Sequence, residues 1–227
     1  YLTSEFRENL IRQLRTSSSI TDAVFVRKVN LQIAMDESNL TDVGKLAVGE
    51  YIVDGQMNYR KQIYFVEDTE YEAYLKQLGL NPEEYLRAEN PKILILNAVK
   101  GAADFDDGRR RFYEGAMFKD SSELTEISIM EQKKIGDASY AYPDPEDPSM
   151  MIYLVGDGRT AQSDDDFKKF KVPVAESMEK LSFEIGETVT AEDYPYWAWA
   201  GDWGFVLPLS AYNEELFIMP NIQDYAY

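Results

Sequence analysis

The segment from 190 to 205, TAEDYPYWAWAGDWGF, holds the side chains best suited to contact a ligand, including all three tryptophans of the chain. Six of its residues are candidate contact residues: Tyr194, Tyr196, Trp197, Trp199, Asp202 and Trp203. Aromatic rings beside an acidic group can stack on sugars, cationic peptides or lipid headgroups. In an extended segment, Trp197 and Trp199 would share one face. The alternative interpretation, a packed loop that covers the edge of the core, stays open.

The chain contains neither histidine nor cysteine, which excludes most catalytic sites. A Ser-His-Asp triad, a thiolate nucleophile, a thiolate zinc site and a disulfide scaffold cannot be built. A glycosidase would need two carboxylates about 5 to 10 Å apart, and Glu192 and Asp202 beside the tryptophans are the candidates. With 41 acidic residues, however, such a pair would arise by chance. We therefore predict a non-catalytic protein without a cofactor.

Two acidic segments invite a metal-site interpretation, and neither supports it. In AADFDDGRRRFYE (102–114), alanine and phenylalanine occupy two positions at which a calcium loop with its turn glycine at Gly108 needs acidic ligands. Asp107-Gly108 instead predicts a hairpin turn. The run 164–166 has three adjacent aspartates, which cannot all point at one ion and which favour the first turn of a helix. We predict no metal site.

The net charge of −18 limits the kinds of partner. It repels phosphate backbones and disfavours anionic lipid, so we predict no nucleic-acid binding. It would attract cationic peptides or divalent ions, although keeping the domain soluble is a sufficient explanation for it. The basic cluster Arg109-Arg110-Arg111 is interpreted as a solvated hairpin strand, with contact to an acidic neighbour as the alternative.

Hydrophobic periodicity indicates the elements that must position these residues. Apolar residues three and four apart predict an amphipathic helix over 4–17. Alternation over 23–35, interrupted only by Arg27, predicts a strand. A capping box at Thr69 and Glu72 predicts the start of a further helix, and Gly79 its end. Asn81-Pro82 predicts a second short helical turn, with Asn at the N-cap.

Further patterns complete a mixed set of helices and strands. Additional strands are predicted at 62–66, 92–99, 124–132, 150–155 and 205–207. The stretches 36–50 and 142–148 are predicted to be loops, the second exposed because of its prolines, and a helix is predicted over 208–217. Because strands and helices do not alternate strictly, the sequence predicts an α+β fold with mixed sheets and flanking helices.

Three segments, in this order, resemble the extracellular region of FtsX/MacB-like ABC-transporter permeases, especially the large Gram-positive ones. LIRQLRTSSSITDAVFVRKV (10–29) resembles the helix and strand that follow the first membrane helix of that family. IYFVEDTEYEAYLKQLGLNPEEYLRAENPKILILN (63–97) resembles its strand, acidic turn, helix and second strand, and is the most specific of the three. GFVLPLSAYNEEL (204–216) is similar to the late strand-Pro-Ser-helix segment.

The resemblance implies a porter-like α+β core, which we expect at 1–100 with 170–227, and a smaller variable β-rich subdomain at 101–169; a single domain stays open. It implies a location at the extracellular face of the cell membrane, and conformational coupling to membrane helices of the same chain and to a cytoplasmic ATPase. A cationic peptide or another extracellular substrate would be the contact partner. Since the chain begins at Tyr1, we interpret it as an excised fragment. The alternative is a secreted carbohydrate- or peptide-binding module that uses the aromatic residues of 194–205.

Overall fold

The computed structural model describes residues 4–20, 22–87, 89–157, 160–198, 202–212 and 222–226, of which 222–226 are described by their backbone alone. The chain forms two compact units. The first contains the described residues of 1–128, 182–212 and 222–227, and the second those of 129–181. The second unit thus starts and ends later in the chain than the expected subdomain at 101–169, because the hairpin that follows residue 98 packs in the first unit.

The described residues form four α-helices and fourteen strands. The helices are α1 (Ser4–Thr16), α2 (Asp42–Val48), α3 (Asp68–Gln77) and α4 (Pro82–Tyr85). The strands are β1 (Phe25–Asp36), β2 (Ile52–Val53), β3 (Gln56–Val66), β4 (Lys92–Leu96), β5 (Val99–Asp104), β6 (Arg110–Gly115), β7 (Ile127–Gln132), β8 (Ala138–Pro143), β9 (Met150–Val155), β10 (Lys168–Pro173), β11 (Met178–Lys180), β12 (Glu184–Val189), β13 (Gly204–Pro208) and β14 (Ile222–Ala226).

The first unit is built on a mixed sheet in which five strands follow the order β1-β3-β13-β4-β12. β3 pairs antiparallel with β1 and parallel with β13, while β4 pairs antiparallel with β13 and parallel with β12. β14 adds to the first half of β1, and the short β2 pairs with β3. The mixed sheet and the helices around it confirm the predicted α+β class.

The buried face of β1 follows the predicted alternation. Val29, Leu31, Ile33 and Met35 are buried, while the residues between them are partly exposed. Arg27 is buried on the same face, where its guanidinium lies 5.3 Å from the ring centre of Tyr212. A cation–π contact suits the weakly hydrated guanidinium group.

One face of the sheet is covered by α3 and α4. Tyr71, Tyr74 and Leu75 from α3, together with Tyr85 from α4, pack in one buried cluster with Leu94 and Leu96 of β4. The hydroxyl of Tyr71 donates to the carbonyl oxygen of Lys92 at 2.9 Å, so this buried polar group is satisfied. The strand β4 is buried on both faces and has a neighbour on each side, as its continuous apolar run predicts.

The predicted capping box of α3 is wrong, although its predicted end is confirmed. The helix begins at Asp68 after the cap residue Glu67, so Thr69 and Glu72 lie inside it. Glu67 takes the cap position because its carboxylate accepts from the backbone N–H of Phe25 at 3.2 Å and pairs with Arg15 at 3.1 Å, which fixes the chain there. Gly79, with φ +74°, follows the last turn.

The loop predicted at 36–50 and the helix predicted at 208–217 need correction. Residues 36–50 contain α2, capped by the Thr41 hydroxyl that accepts from the Gly44 N–H at 3.0 Å. This helix buries only Gly44 and Val48, so it has no apolar stripe for the sequence to reveal. After β13, a 3-10 turn over 209–211 stands where an α-helix was expected; residues 213–217 of that prediction lie outside the described part of the chain.

The second unit contains an antiparallel sheet of order β10-β9-β8 and the strand pair β7-β11. Its core gathers around Tyr153, whose hydroxyl donates to the carbonyl oxygens of Lys133 and Ser177 at 2.8 and 3.1 Å. The strands predicted at 124–132 and 150–155 are confirmed as β7 and β9. The exposed loop predicted at 142–148 is wrong at its start, because Tyr142 and Pro143 belong to β8 and Asp144 is buried with its carboxylate paired to Lys171.

The close packing of α2 gives a test of the fold. A Cβ atom on Gly44 would lie 2.1 Å from the carbonyl oxygen of Met117, so backbone must shift to admit it. We expect Gly44→Ala to lower the free energy of unfolding by about 1–3 kcal/mol, measured by denaturant titration. Gly49→Ala is the control, since nothing lies within 4 Å of its Cβ position and its backbone is helical. It should be neutral or slightly stabilising. Equal losses in both variants would contradict the packing described.

Candidate functional site

Two of the tryptophans expected to contact a ligand are core residues. Trp197 is 2% exposed, and its ring lies 6.1 Å from Tyr64 and 6.0 Å from Tyr74, measured between ring centres. Trp203 is 3% exposed and packs against Tyr59 and Phe118. For these two residues the structure favours the packed-loop interpretation over the exposed contact surface.

The segment around Trp197 is a turn and not an extended strand. The N–H of Ala198 donates to the carbonyl oxygen of Pro195 at 3.0 Å, which closes the turn. The expectation that Trp197 and Trp199 share one face of an extended segment therefore loses its basis. Trp199 itself lies outside the described residues.

Tyr194 acts as a clamp within the first unit. Its hydroxyl accepts from the N–H of Ala98 at 2.9 Å and donates to the carbonyl oxygen of Asp202 at 2.9 Å. Burial raises the pKa of the Tyr194 hydroxyl well above its ordinary value, so it stays protonated and keeps donating. Tyr194 thus ties the aromatic segment to the connection between β4 and β5.

Asp202 fixes the other end of the segment to β3. The Lys61 ammonium lies 2.6 and 2.7 Å from the two carboxylate oxygens of Asp202 and 4.8 Å from the ring centre of Trp203. The pair is partly buried, which protects it from screening by salt. Because both oxygens of Asp202 are engaged, this carboxylate serves to hold Trp203 in place.

Tyr196 is the member of the aromatic segment that reaches solvent, with 65% of its surface exposed. It stands at the edge of an open cleft of about 390 Å³ between α3 and residues 192–197, which we name the α3 cleft. The helix contributes Glu70 and Tyr74 to it, along with its C-cap residue Leu78, and the loop contributes Glu192, Tyr196 and Trp197. Three of the six predicted contact residues therefore line one concave surface: Tyr194, Tyr196 and Trp197.

Hydrogen bonds hold the loop side of the α3 cleft against the helix. The Tyr74 hydroxyl donates to the carbonyl oxygen of Asp193, and the Thr190 hydroxyl donates to the Asp193 carboxylate at 2.6 Å. Burial is the main cause of the raised pKa of Tyr74, with repulsion from Asp193 and Tyr194 adding to it. The loop is therefore pre-positioned, and a ligand would meet a formed surface.

The electrostatics of the α3 cleft favour a positively charged group. Within the described residues, the Glu70 carboxylate accepts no hydrogen bond and forms no ion pair. Burial raises its pKa, repulsion from Asp22 and Glu67 raises it further, and Arg15 offsets only part of this. Desolvation, followed by the charges of Glu70 and Asp22, raises the pKa of Tyr196 to about 12. A cation in the cleft would relieve this repulsion.

The other acidic segments have structural explanations. At the tip of the β5-β6 hairpin, Gly108 has φ +74° and Phe105 N–H donates to the Arg109 carbonyl, which confirms the predicted hairpin turn. In the run 164–166, Asp166 accepts from the N–H groups of Gln162 and Ser163, and these bonds lower its pKa. Across the described residues, no group of three acidic side chains could hold a metal ion.

Glu70 is the site residue that sequence reasoning missed. It lies one turn before Tyr74 on α3, at the border of the buried stripe, and nothing in that pattern separates it from a solvated glutamate. What makes it distinctive is the loop 192–197 lying beside it, and that contact joins residues more than a hundred positions apart.

Comparison of this chain with family models, with curated proteins and with solved structures finds no match. None of the helices among the described residues combines the length and apolarity needed to cross a bilayer.

The raised pKa of Glu70, caused first by burial and then by repulsion from Asp22 and Glu67, predicts a pH-dependent effect on stability. Its pKa is raised in the folded state above the ordinary value of 4.5, so the carboxylate costs stability once the pH rises through the folded pKa. Below the unfolded pKa it is protonated in both states and the cost vanishes. Glu70→Gln should therefore raise the melting temperature by about 1–2 °C at pH 7 and leave it unchanged near pH 3.

Glu72→Gln on the same helix is the matched control for this measurement. Glu72 is paired with Lys76, so its replacement should not raise the melting temperature at pH 7. A gain for Glu70→Gln that is the same at both pH values would contradict the account of Glu70.

Proposed function

We propose that this chain is an extracytoplasmic domain of an FtsX/MacB-like ABC-transporter permease, which contacts a substrate or partner and is coupled to membrane helices of its own chain. The supporting observation is where the three family-like segments lie. They contribute to β1, to β3 and β4, and to β13, which are adjacent strands of one sheet in the first unit.

The positions of α1 and β14 also support a membrane attachment. Phe25 of β1 packs with Ile11 of α1. The distance between the Phe25 ring centre and the Arg7 guanidinium is 5.0 Å. Phe25 also pairs with Ala226 of β14. A domain held between two membrane helices needs its two connections on one side, and α1 and β14 both adjoin Phe25 of β1.

We further propose that the α3 cleft is the contact site and that it takes a cationic group, such as a lysine or arginine side chain of a peptide. The exposed ring of Tyr196 offers a cation–π surface. Glu70 and Glu192 supply negative charge on the two sides, and the net charge of −18 attracts cations over longer distance. No catalytic step belongs to the proposal, since Asp202 is engaged by Lys61.

Thiol labelling tests the proposed topology. The 227 residues of the sequence include no cysteine. Asp107→Cys at the exposed β5-β6 turn therefore introduces a single thiol into the domain. In intact cells that make the full-length protein, we expect this thiol to react with a membrane-impermeant maleimide while the protein stays in the membrane fraction. The unsubstituted protein is the control. Labelling only after lysis, or recovery of the full-length protein from the medium, would contradict the proposal; the second result would favour the secreted module.

Binding of pentalysine tests the α3 cleft, with tryptophan fluorescence as the signal because Trp197 lines it. Tyr196→Ala and Glu70→Gln should each weaken binding by about two- to fivefold, and about 1 M salt should abolish it. Phe112→Ala, at a residue 89% exposed on β6, and Glu83→Gln are matched controls that should leave binding unchanged. Equal binding of pentaglutamate, or equal losses in the controls, would show that the cleft is not a cation site.

A further inference from the structure

The second unit has a concave site of its own. A role for this site is separate from the proposed function and does not depend on it. An open pocket of about 440 Å³ lies between β8 and residues 161–167, and we name it the β8 pocket. Leu154 of β9 is buried beneath it. The pocket combines an aromatic lining with a polar rim, and each part has a separate structural cause.

The aromatic lining comes from two elements. Tyr140 and Tyr142 are two residues apart on β8 and so lie on the same face of the strand. Phe167 meets Tyr140 edge to face, with ring centres 5.9 Å apart. A Cβ atom on Gly156 would lie 2.8 Å from the Phe167 ring, so the ring rests directly on the backbone of this glycine. Tyr140 remains 42% exposed and presents its ring to solvent.

The polar rim comes from Gln162, Ser163 and Asp164. The Asp166 carboxylate accepts from the backbone N–H groups of Gln162 and Ser163 at 2.8 and 3.1 Å, which holds this loop in one conformation. Within the described residues, the side chains of Gln162 and Asp164 and the hydroxyls of Tyr140 and Tyr142 form no hydrogen bond. An amide that can donate and accept, a carboxylate and two hydroxyls are therefore free to bind a ligand.

Two of the three carboxylates in the run 164–166 are engaged within the second unit. Asp165 lies 3.6 Å from the Lys169 ammonium, and Asp166 is held by backbone N–H groups. Asp164 is therefore the rim carboxylate that has no partner among the described residues, and it can accept hydrogen bonds from the hydroxyl groups of a neutral ligand.

We infer that the β8 pocket binds a neutral sugar. A pyranose ring has a face of C–H groups that can stack on an aromatic ring such as Tyr140, whose π face is negative. Its hydroxyls need donors and acceptors at the edge, and Gln162 and Asp164 provide both. A purely apolar ligand would cover these groups without satisfying them, which is costly, and an anionic ligand would be repelled by Asp164.

Titration of the whole chain with chitotriose, cellotriose and mannotriose, followed by calorimetry and saturation-transfer NMR, tests this inference. We expect at least one trisaccharide to bind. Tyr140→Ala should weaken that binding by about five- to tenfold, Tyr140→Phe should keep it within about twofold, and Gln162→Ala should also weaken it. Tyr140 is 42% exposed, and β8 has one neighbouring strand among the described residues, so we expect its replacement to leave the fold intact.

Phe112→Ala is the control for an exposed aromatic residue elsewhere in the chain and should not change the affinity. Binding of none of the three trisaccharides would overturn the inference. So would trisaccharide binding that Tyr140→Ala leaves unchanged. Pentalysine binding that is lost in Tyr140→Ala would also overturn it, by making the pocket a cation site.

Discussion

The hydrogen bonding of β3 on both sides is the constraint on which the first unit depends. Its antiparallel partner β1 is close in sequence, but its parallel partner β13 follows more than a hundred residues later. A parallel pair needs a crossover connection, and here β4 with its covering helices α3 and α4 lies within it. The aromatic segment directly precedes β13, so this pairing brings Asp202 and Trp203 next to Lys61 of β3. The α3 cleft is a consequence of the same pairing.

Magnitudes explain why the tryptophans lie inside. Burying about 200 Å² of a tryptophan side chain stabilises the fold by about 5 kcal/mol, whereas one exposed cation–π contact contributes about 0.5–1 kcal/mol. Trp197 and Trp203 therefore stabilise the core, where Tyr64, Tyr74, Tyr59 and Phe118 surround them. Tyr196 is the aromatic residue of this segment that stays exposed, and in the α3 cleft it lies with Glu70 and Glu192, which form no ion pair within the described residues.

Local patterns in the sequence predicted much of the fold, and non-local contacts account for most of what they missed. The alternation in β1, the apolar run of β4 and the Asp107-Gly108 turn each depend on a few neighbouring residues, and each was predicted correctly. Helix α2 was missed because it packs through Gly44 and not through an apolar stripe. The site was only partly predictable: composition marked the aromatic segment, but an exposed and a buried tryptophan look alike until the β3-β13 pairing is known.

Photo-crosslinking from position 196 tests directly whether the α3 cleft faces outward and receives a cationic group. A photoreactive phenylalanine derivative replaces Tyr196 in the full-length protein in intact cells, with Glu83 as the control position. We predict an adduct at position 196 that carries a lysine- or arginine-rich segment, is absent from position 83 and is lost when excess pentalysine is added. An adduct without a basic segment, or one that forms equally at position 83, would contradict the account.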